Sequence, residues 1–194
     1  MTTTVSIPDI NNASVAMRVV QDATPNTAPI TVSDTDWITA NFTRPADTTA
    51  YAAGDAIANS TSAPSAITFS GIAQRNAGPF MIGHSTLLYE AAPPGTIPNI
   101  DLLLFNKTSA PTATNDNAAF NPSNADMETC IGIIQFTSGL QTQGSSNMIY
   151  YAQPTIIGKA GSSLADIYGL LRTNTAFTPG NAAKFFLALG IYRD

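Results

Sequence analysis

Hydrophobic residues occur along most of this chain in short runs that end at Gly, Pro, Asn, Asp or Ser. Runs of this kind, rich in β-branched and aromatic residues, predict β-strands separated by turns. The longer predicted strands are Phe80–Tyr89, Ile100–Phe105, Ile131–Phe136, Met148–Tyr151, Asp166–Arg172 and Lys184–Tyr192. Ala91-Ala-Pro-Pro-Gly95 ends the first of these strands and Ile100–Phe105 is the next, so we expect the two to pair as a hairpin.

The last predicted strand, Lys184–Tyr192, has the clearest alternation. One of its faces presents Phe185, Leu187, Leu189 and Ile191, and the other presents Phe186, Ala188, Gly190 and Tyr192. Side chains in a strand point to opposite faces in turn, so both faces of this strand are largely apolar. This pattern predicts a strand that is covered on both sides, inside a sandwich or at a subunit interface.

Shorter signals divide the first part of the chain. Met17–Val20 and Ile30–Val32 are strand candidates interrupted by prolines. Ser33–Trp37 predicts a turn that leads into a strand ending at Phe42, and Asp55–Ala58 and Ala66–Phe69 are further short strands. We therefore expect an N-terminal arm with opening strands over residues 1–40 and a single domain over residues 41–194.

The elements together predict an all-β fold. The chain shows about nine or ten short strands, turn signals every 8–15 residues or so, and no long helix. One short helical turn is predicted after Ser123, because its hydroxyl can cap the backbone near Asp126. This pattern favours a β-sandwich of jelly-roll type with an extended N-terminal arm.

Charge is scarce, and this narrows the function classes. Among 194 residues there are 8 Lys or Arg and 13 Asp or Glu, which gives a net charge of −5. Charged residues make up 11% of the chain, against roughly 25% in an average soluble domain. A nucleic-acid binder needs a basic surface, and no apolar run approaches the roughly 20 residues of a membrane span. We therefore expect neither nucleic acid nor membrane as a partner, and Met1–Ile10 does not have the pattern of a signal peptide.

Candidate catalytic chemistry is equally scarce. The chain contains one histidine, His84, and one cysteine, Cys130. His84 lies in a predicted strand without a nucleophile motif near it, so we expect a hydrogen-bonded histidine of the sheet. Cys130 precedes an isoleucine-rich strand and is expected to be a small buried residue. The sequence therefore predicts no catalytic residue, no metal ligand and no cofactor, and a protein that is not an enzyme.

Three weaker patterns of ligand-binding residues have simpler explanations. Asp34 with Asp36, and Asn115-Asp-Asn117, place oxygen ligands close together, but neither matches a calcium loop, and such residues favour turns by themselves. Gly158-Lys-Ala-Gly161 lacks the spacing of a phosphate-binding loop. A sugar-binding platform would use exposed aromatics, although aromatics more often belong to a core or an interface. The candidates are Trp37, Tyr51, Tyr89, Tyr150, Tyr151 and Tyr168.

Several segments resemble a group of proteins found in tailed bacteriophages and their prophages. The segments are Phe42–Ser60, with its Tyr51-Ala-Ala-Gly-Asp55 motif, Leu102–Asn106, Thr114–Ser123, with its Asn115-Asp-Asn-Ala-Ala-Phe120 motif, Ile131–Ile134 and the closing strand Phe185–Asp194. Members of the group resemble capsid decoration (cement) proteins, including those of cyanophages. The resemblance implies a homotrimer that binds the major capsid protein on the outside of the virion and is made in the host cytoplasm.

Two other function classes remain open at this stage. A trimeric tail-fibre or baseplate module that binds host glycan would have the same β-rich, weakly charged composition. A polysaccharide hydrolase would need a pair of carboxylates flanking the scissile bond. Clustering of aromatic and Asp or Asn side chains in one cleft would favour the glycan binder.

Overall fold

The structure, a computed structural model, describes residues 34–91, 94–137, 139–141, 147–162 and 165–193. Within these residues the chain forms eleven strands and one four-residue helix, arranged in two antiparallel sheets. The prediction of an all-β sandwich is confirmed. The one helix among the described residues is too short to cross a membrane.

The bounds of the elements follow the hydrophobic runs of the sequence. The strands are β1 (Asp34–Thr43), β2 (Ala56–Ile57), β3 (Ile67–Phe69), β4 (Pro79–Glu90), β5 (Ile100–Phe105), β6 (Cys130–Phe136), β7 (Gly139–Gln141), β8 (Asn147–Ala152), β9 (Ile156–Lys159), β10 (Ile167–Thr173) and β11 (Lys184–Arg193), and the helix α1 is Asn124–Met127.

The first sheet has six strands, in the order β1-β11-β4-β8-β7, with β9 also paired to β4. Strand β11 lies inside it and pairs along its full length with β1 on one side and β4 on the other. Its inward residues Phe185, Leu187 and Leu189 are fully buried. The predicted alternation of β11 is therefore observed, and its other face lies on the outside of the sandwich.

The second sheet has five strands, in the order β2-β10-β5-β6, with β3 also paired to β10. Every residue of β5 is buried, so both faces of this sheet are covered at its centre. Leu102 and Leu104 face the main core between the sheets, where they join Phe136, Leu87 and Leu187. Burial of this apolar surface is the main force that holds the two sheets together.

The outer face of the second sheet is covered by the chain itself. Leu103, Phe105 and Leu170 form a second apolar cluster there, against which Ala113 and Phe120 of the loop after β5 are packed. The loop ends at α1, whose N-cap Ser123 accepts a hydrogen bond from the Asp126 amide, as predicted. The longest loop of the chain is thus an integral part of the second sheet's packing.

Two sequence predictions about pairing are wrong. Strands β4 and β5 do not form a hairpin, because β4 pairs with β11, β8 and β9 while β5 pairs with β10 and β6 of the other sheet. Residues 34–37 do not form a turn, because β1 already pairs with β11 from Asp34 onwards. Since β1 crosses the expected boundary at residue 40, the described sandwich begins at Asp34. The rest of the expected arm, with its two strand candidates, lies outside the described residues.

Candidate functional site

His84 lies on the outer face of the first sheet, opposite Gly190 of β11. Its Nδ1 is 2.7 Å from the Tyr151 hydroxyl, which also accepts a hydrogen bond of 3.2 Å from the Gln153 amide. The prediction of a hydrogen-bonded histidine of the sheet is confirmed. Its observed partner is a tyrosine, so the geometry is that of a surface contact and not of a nucleophile held by a base.

Cys130 begins β6 and is half-buried, where the sequence suggested full burial. Its thiol faces the Gly132 carbonyl at 3.7 Å and packs against the second apolar cluster. The register of β5 against β6 shifts between Leu104 and Phe105, opposite this end of β6. Cys130 therefore behaves as a small apolar residue at the margin of the core.

The described side chains of the two suggested calcium patterns do not form a cluster of free oxygen ligands. Asp36 pairs with Arg193 at 2.6 Å and accepts a hydrogen bond from the Trp37 amide, while the side chain of Asp34 is outside the described set. Asp116 is buried in a network of the chain's own donors. Among the residues that the structure describes, no group of three His, Cys, Asp or Glu side chains could hold a metal ion.

A buried ion pair is the most unusual polar feature of the sandwich. The side chains of Arg44 and Asp116 are both fully buried, and Nη2 of Arg44 donates to Oδ2 of Asp116 at 3.0 Å. The Tyr51 hydroxyl lies between them, accepting from Nε of Arg44 at 3.0 Å and donating to Oδ1 of Asp116 at 2.6 Å. The Ala58 amide donates a further 2.8 Å hydrogen bond to Asp116. Each charge in this network is therefore both paired and hydrogen-bonded, as burial requires.

Burial and hydrogen bonds fix the protonation states of Tyr51 and Arg44 in this network. Burial raises the pKa of the Tyr51 phenol, and its hydrogen bond to Asp116 raises that pKa further. Burial by itself lowers the pKa of Arg44, but the contacts with Tyr51, Asp116 and Asp47 outweigh it and the pKa is raised. Arg44 consequently stays charged and Tyr51 stays protonated at any physiological pH, so these two side chains act in holding the fold.

The network joins two segments that are distant along the chain, residues 42–60 and residues 114–123. Arg44, Asp47 and Tyr51 come from the first segment, and Asp116 and Asn117 come from the second. Asn117 has a left-handed backbone with φ of 58°, and its side-chain amide, oriented with the nitrogen towards Asp55, donates to that carboxylate at 3.2 Å. These residues therefore fasten one loop to another, which is a role in folding.

The other buried carboxylates are also paired within the chain. Asp101 of β5 receives two hydrogen bonds, of 3.1 and 2.9 Å, from Arg172, its cross-strand neighbour on β10. Asp126 forms an ion pair with Lys107 and accepts hydrogen bonds from the Ser123 hydroxyl and the Thr112 amide. The three buried aspartates, Asp101, Asp116 and Asp126, are therefore all engaged within the chain, and none of them is left to act as a general acid or base on a ligand.

A hollow of about 290 Å³, part of it open to solvent, lies beside β2 and β10. Its walls are mainly apolar and include Phe42 and Ile57, and the polar side chains among them are Asn59, Ser65 and Thr114. Since no charged side chain lines it, the hollow offers neither the acid–base pair of a hydrolase nor a charged anchor for a ligand.

The six aromatic residues proposed for a sugar platform are not brought together. Tyr51, Tyr89 and Tyr150 are core residues, and Tyr168 packs against the second apolar cluster. Trp37 and Tyr151 alone of the six are largely exposed, at 53% and 55% of their surface, and both lie on the outer face of the first sheet. They share this face with Ile149 and Ile157.

This outer face is the one broad feature that sequence inspection missed. Its residues are spread over β1, β4, β8, β9 and β11, and only the pairing registers bring them together. The signal of this face in the sequence was the second apolar face of β11.

Comparison with models of known protein families and with curated proteins finds no match for the chain.

Proposed function

We propose that this chain is a virion structural protein, a decoration or cement protein that binds the outside of a phage head and stabilises the lattice of the major capsid protein. The observation that supports the proposal most is how the chain uses its charges. The buried carboxylates that the structure describes are paired with cations of the same chain, and the described residues leave exposed a broad sheet face that carries charges only at its ends. Such a chain has contact area to offer, which is what a lattice-stabilising protein requires.

The winding of the strands supports a jelly-roll form of the sandwich. Early strands pair with late strands in nested order: β1 with β11, β2 and β3 with β10, β4 with β8, and β5 with β6. An antiparallel ribbon folded over on itself gives this nesting, and it is the winding of a jelly roll. Jelly rolls occur in viral capsid proteins and in lectins, so the winding by itself fits both candidate functions.

The surface favours a structural role over glycan binding. A glycan site usually combines an aromatic platform with carboxylate or amide groups in one cleft. Here Trp37 and Tyr151 lie on a sheet face beside aliphatic side chains, and the nearest carboxylate on that face of β4 and β11, Glu90, is paired with Lys184. The face therefore resembles the centre of a protein interface.

The same observations argue against a hydrolase. Asp101, Asp116 and Asp126 are buried and paired with cations, so they do not form the two free carboxylates of a glycosidase. We expect no turnover of ester, peptide or glycan substrates by the purified protein. A turnover abolished by changing His84 would contradict this.

The test is binding to heads that lack the protein. Tail-free heads are incubated with purified protein, sedimented and analysed for bound chain, and their rupture temperature is measured. We expect saturable binding and a higher rupture temperature, because a ligand that binds the assembled lattice stabilises it by mass action. Adsorption to host cells without binding to heads would instead support the tail-fibre or baseplate module.

The proposed arm has its own test within the same assay. We expect deletion of Thr2–Asn12 to weaken binding to heads while the melting temperature of the free protein stays unchanged. An extended segment that adds a strand to the edge of a neighbouring sheet would give this result. Equal binding by the shortened chain would show that another surface contacts the capsid.

A further inference from the structure

We propose that copies of this chain associate through the outer face of the six-stranded sheet. We define the outer face as the side chains of this sheet that point away from the core. Cross-strand partners share a face of a sheet, so the registers identify its members. They are Trp37, Thr39 and Asn41 of β1, Met81, His84, Thr86 and Leu88 of β4, Ile149 and Tyr151 of β8, Ile157 of β9, and Phe186, Ala188, Gly190 and Tyr192 of β11.

Large hydrophobic side chains are concentrated on this surface. Seven large hydrophobic side chains among the described residues are exposed, and four of them lie on the outer face. Ile157 is the most exposed, at 75%, and Trp37, Ile149 and Tyr151 are exposed by 38% to 55%. A concentration of exposed apolar side chains on one face of a sheet marks an interaction site on a soluble protein.

The second sheet shows how the chain treats a face that it covers itself. There the loop after β5 lays Ala113 and Phe120 over Leu103, Phe105 and Leu170. Within the described residues, no loop lies in the same way over Trp37, Tyr151 or Ile157, as their exposure shows. The two sheets thus differ in their covering, and the outer face of the first sheet is the one left for another molecule.

The floor of the outer face is kept low by two glycines. A Cβ on Gly190 would lie 3.2 Å from Cβ of His84 and 3.3 Å from the Trp37 ring. A Cβ on Gly83 would lie 2.9 Å from the Tyr192 ring. The aromatic rings therefore lie close over glycine backbone, which leaves a flat surface suited to packing against another flat surface.

The absence of charge at the centre indicates a second copy as the partner. Around a symmetry axis, each group near the axis meets its own equivalent, so a charge there would face the same charge. The described charges of the face lie at its ends, as the Glu90–Lys184 pair at one end and Lys159 at the other. No Asp, Glu, Lys or Arg lies among the central residues of the face, so these residues can meet their own copies without repulsion between carboxylates or between ammonium or guanidinium groups.

The area is sufficient for a stable association. The face is four to five strands wide, and β11, one of its two long inner strands, has 10 residues. With about 4.8 Å between strands and about 3.3 Å per residue, this corresponds to roughly 700 Å². A standard interface buries about 800 Å² on each partner. Two copies that meet through this face would therefore bury an area close to the standard size.

This inference rests on the proposed function only for its expectation of a closed homo-oligomer, and its test does not use capsids. The full-length protein is examined by sedimentation velocity from nanomolar to high micromolar concentration. Three variants are compared with it: Ile157→Arg and Trp37→Arg on the outer face, and Ile133→Arg as the control. Ile133 is 45% exposed on the second sheet, so the control adds the same charge at a similarly exposed strand position.

We expect the wild type and Ile133→Arg to form the same closed oligomer. Ile157→Arg and Trp37→Arg should raise the dissociation constant by about a hundredfold, because each would bury an unpaired charge in the interface. Trp37 is the single tryptophan, so fluorescence gives a second measurement without any substitution. Dilution of the wild type should shift its emission to the red and increase quenching by iodide as the oligomer dissociates.

Other outcomes would overturn the proposal. A wild type that stays monomeric over the whole concentration range would exclude association. This holds whether iodide quenches its tryptophan or the chain's own residues shield it. An oligomer that tolerates both outer-face charges would place the interface elsewhere. If association behaves as expected but heads are not bound, the proposed function fails while this inference stands.

Discussion

Replacement of Asp116 by Asn should reveal how strongly the Arg44–Tyr51–Asp116 network stabilises the sandwich. The substitution keeps the size of the side chain and removes its charge. Asp116 accepts hydrogen bonds from Tyr51, Arg44 and Ala58, of 2.6, 3.0 and 2.8 Å, and both charged side chains are fully buried. Asp116→Asn therefore leaves the Arg44 guanidinium buried with Asp47 as its remaining carboxylate.

Breaking a buried ion pair by removing one partner costs about 3–5 kcal/mol. A domain of this size loses roughly 2–4 °C in Tm for each kcal/mol, so we expect a fall in Tm of about 10 °C. Urea titration followed by circular dichroism would measure the free energy of unfolding. The matched control is Glu90→Gln, which disrupts the half-exposed 3.5 Å contact with Lys184 and should cost less than about 1 kcal/mol.

A second comparison separates the pair from its individual residues. Because Arg44 and Asp116 are in direct contact, the double variant Arg44→Met with Asp116→Leu should lose less stability than the two single changes added together. Additive losses, or an Asp116→Asn variant as stable as Glu90→Gln, would refute the reasoning. Binding to heads by the folded fraction of Asp116→Asn should be unchanged, since the network lies inside the protomer.

The remaining predictions concern other parts of the sandwich. Burial by itself raises the pKa of Asp126, but hydrogen bonds from Lys107, Ser123 and Thr112 outweigh it and lower the pKa below the ordinary 3.8. The stabilisation by the ionised Asp126 is thus complete above pH 3.8 and is lost as the pH falls through the folded pKa. The difference in unfolding free energy between wild type and Asp126→Asn should therefore be constant near neutrality and narrow below pH 3.8, and a difference that widens in acid would contradict this. Ser85 is fully buried in β4 and its hydroxyl has no hydrogen-bond partner among the described residues. Ser85→Ala should therefore leave the free energy of unfolding unchanged or raise it by up to about 1 kcal/mol, and a marked fall in Tm measured by calorimetry would contradict the assignment of this hydroxyl as unpaired. A Cβ on Gly161 would lie 2.5 Å from the Lys107 carbonyl oxygen, whereas one on Gly95 would meet nothing within 4 Å. Gly161→Ala should lower the free energy of unfolding by about 1–3 kcal/mol, while Gly95→Ala should leave it nearly unchanged. Equal effects of the two substitutions would contradict the packing described around Gly161.

The sequence by itself determined the class of the fold and the position of most strands. Strand β11 shows why, because its alternation of Phe185, Leu187 and Leu189 with Phe186 and Ala188 is a local property that any sheet must respect. The cap at Ser123 is local in the same sense, since donor and acceptor lie three residues apart. Local patterns of this kind depend on neighbouring residues and need no knowledge of the partner strand.

Only the tertiary structure decided which elements meet. The hairpin expected between β4 and β5 was wrong because a strand pattern specifies its faces but not its partner, and the turn after β4 connects the two sheets instead of two neighbouring strands. Arg44 and Asp116 are 72 positions apart, and nothing local to either residue indicates the ion pair. The outer face is assembled from five strands that are scattered along the chain. Long-range pairing is set by the total apolar surface that the sheets bury together, so these features exist only in the folded chain.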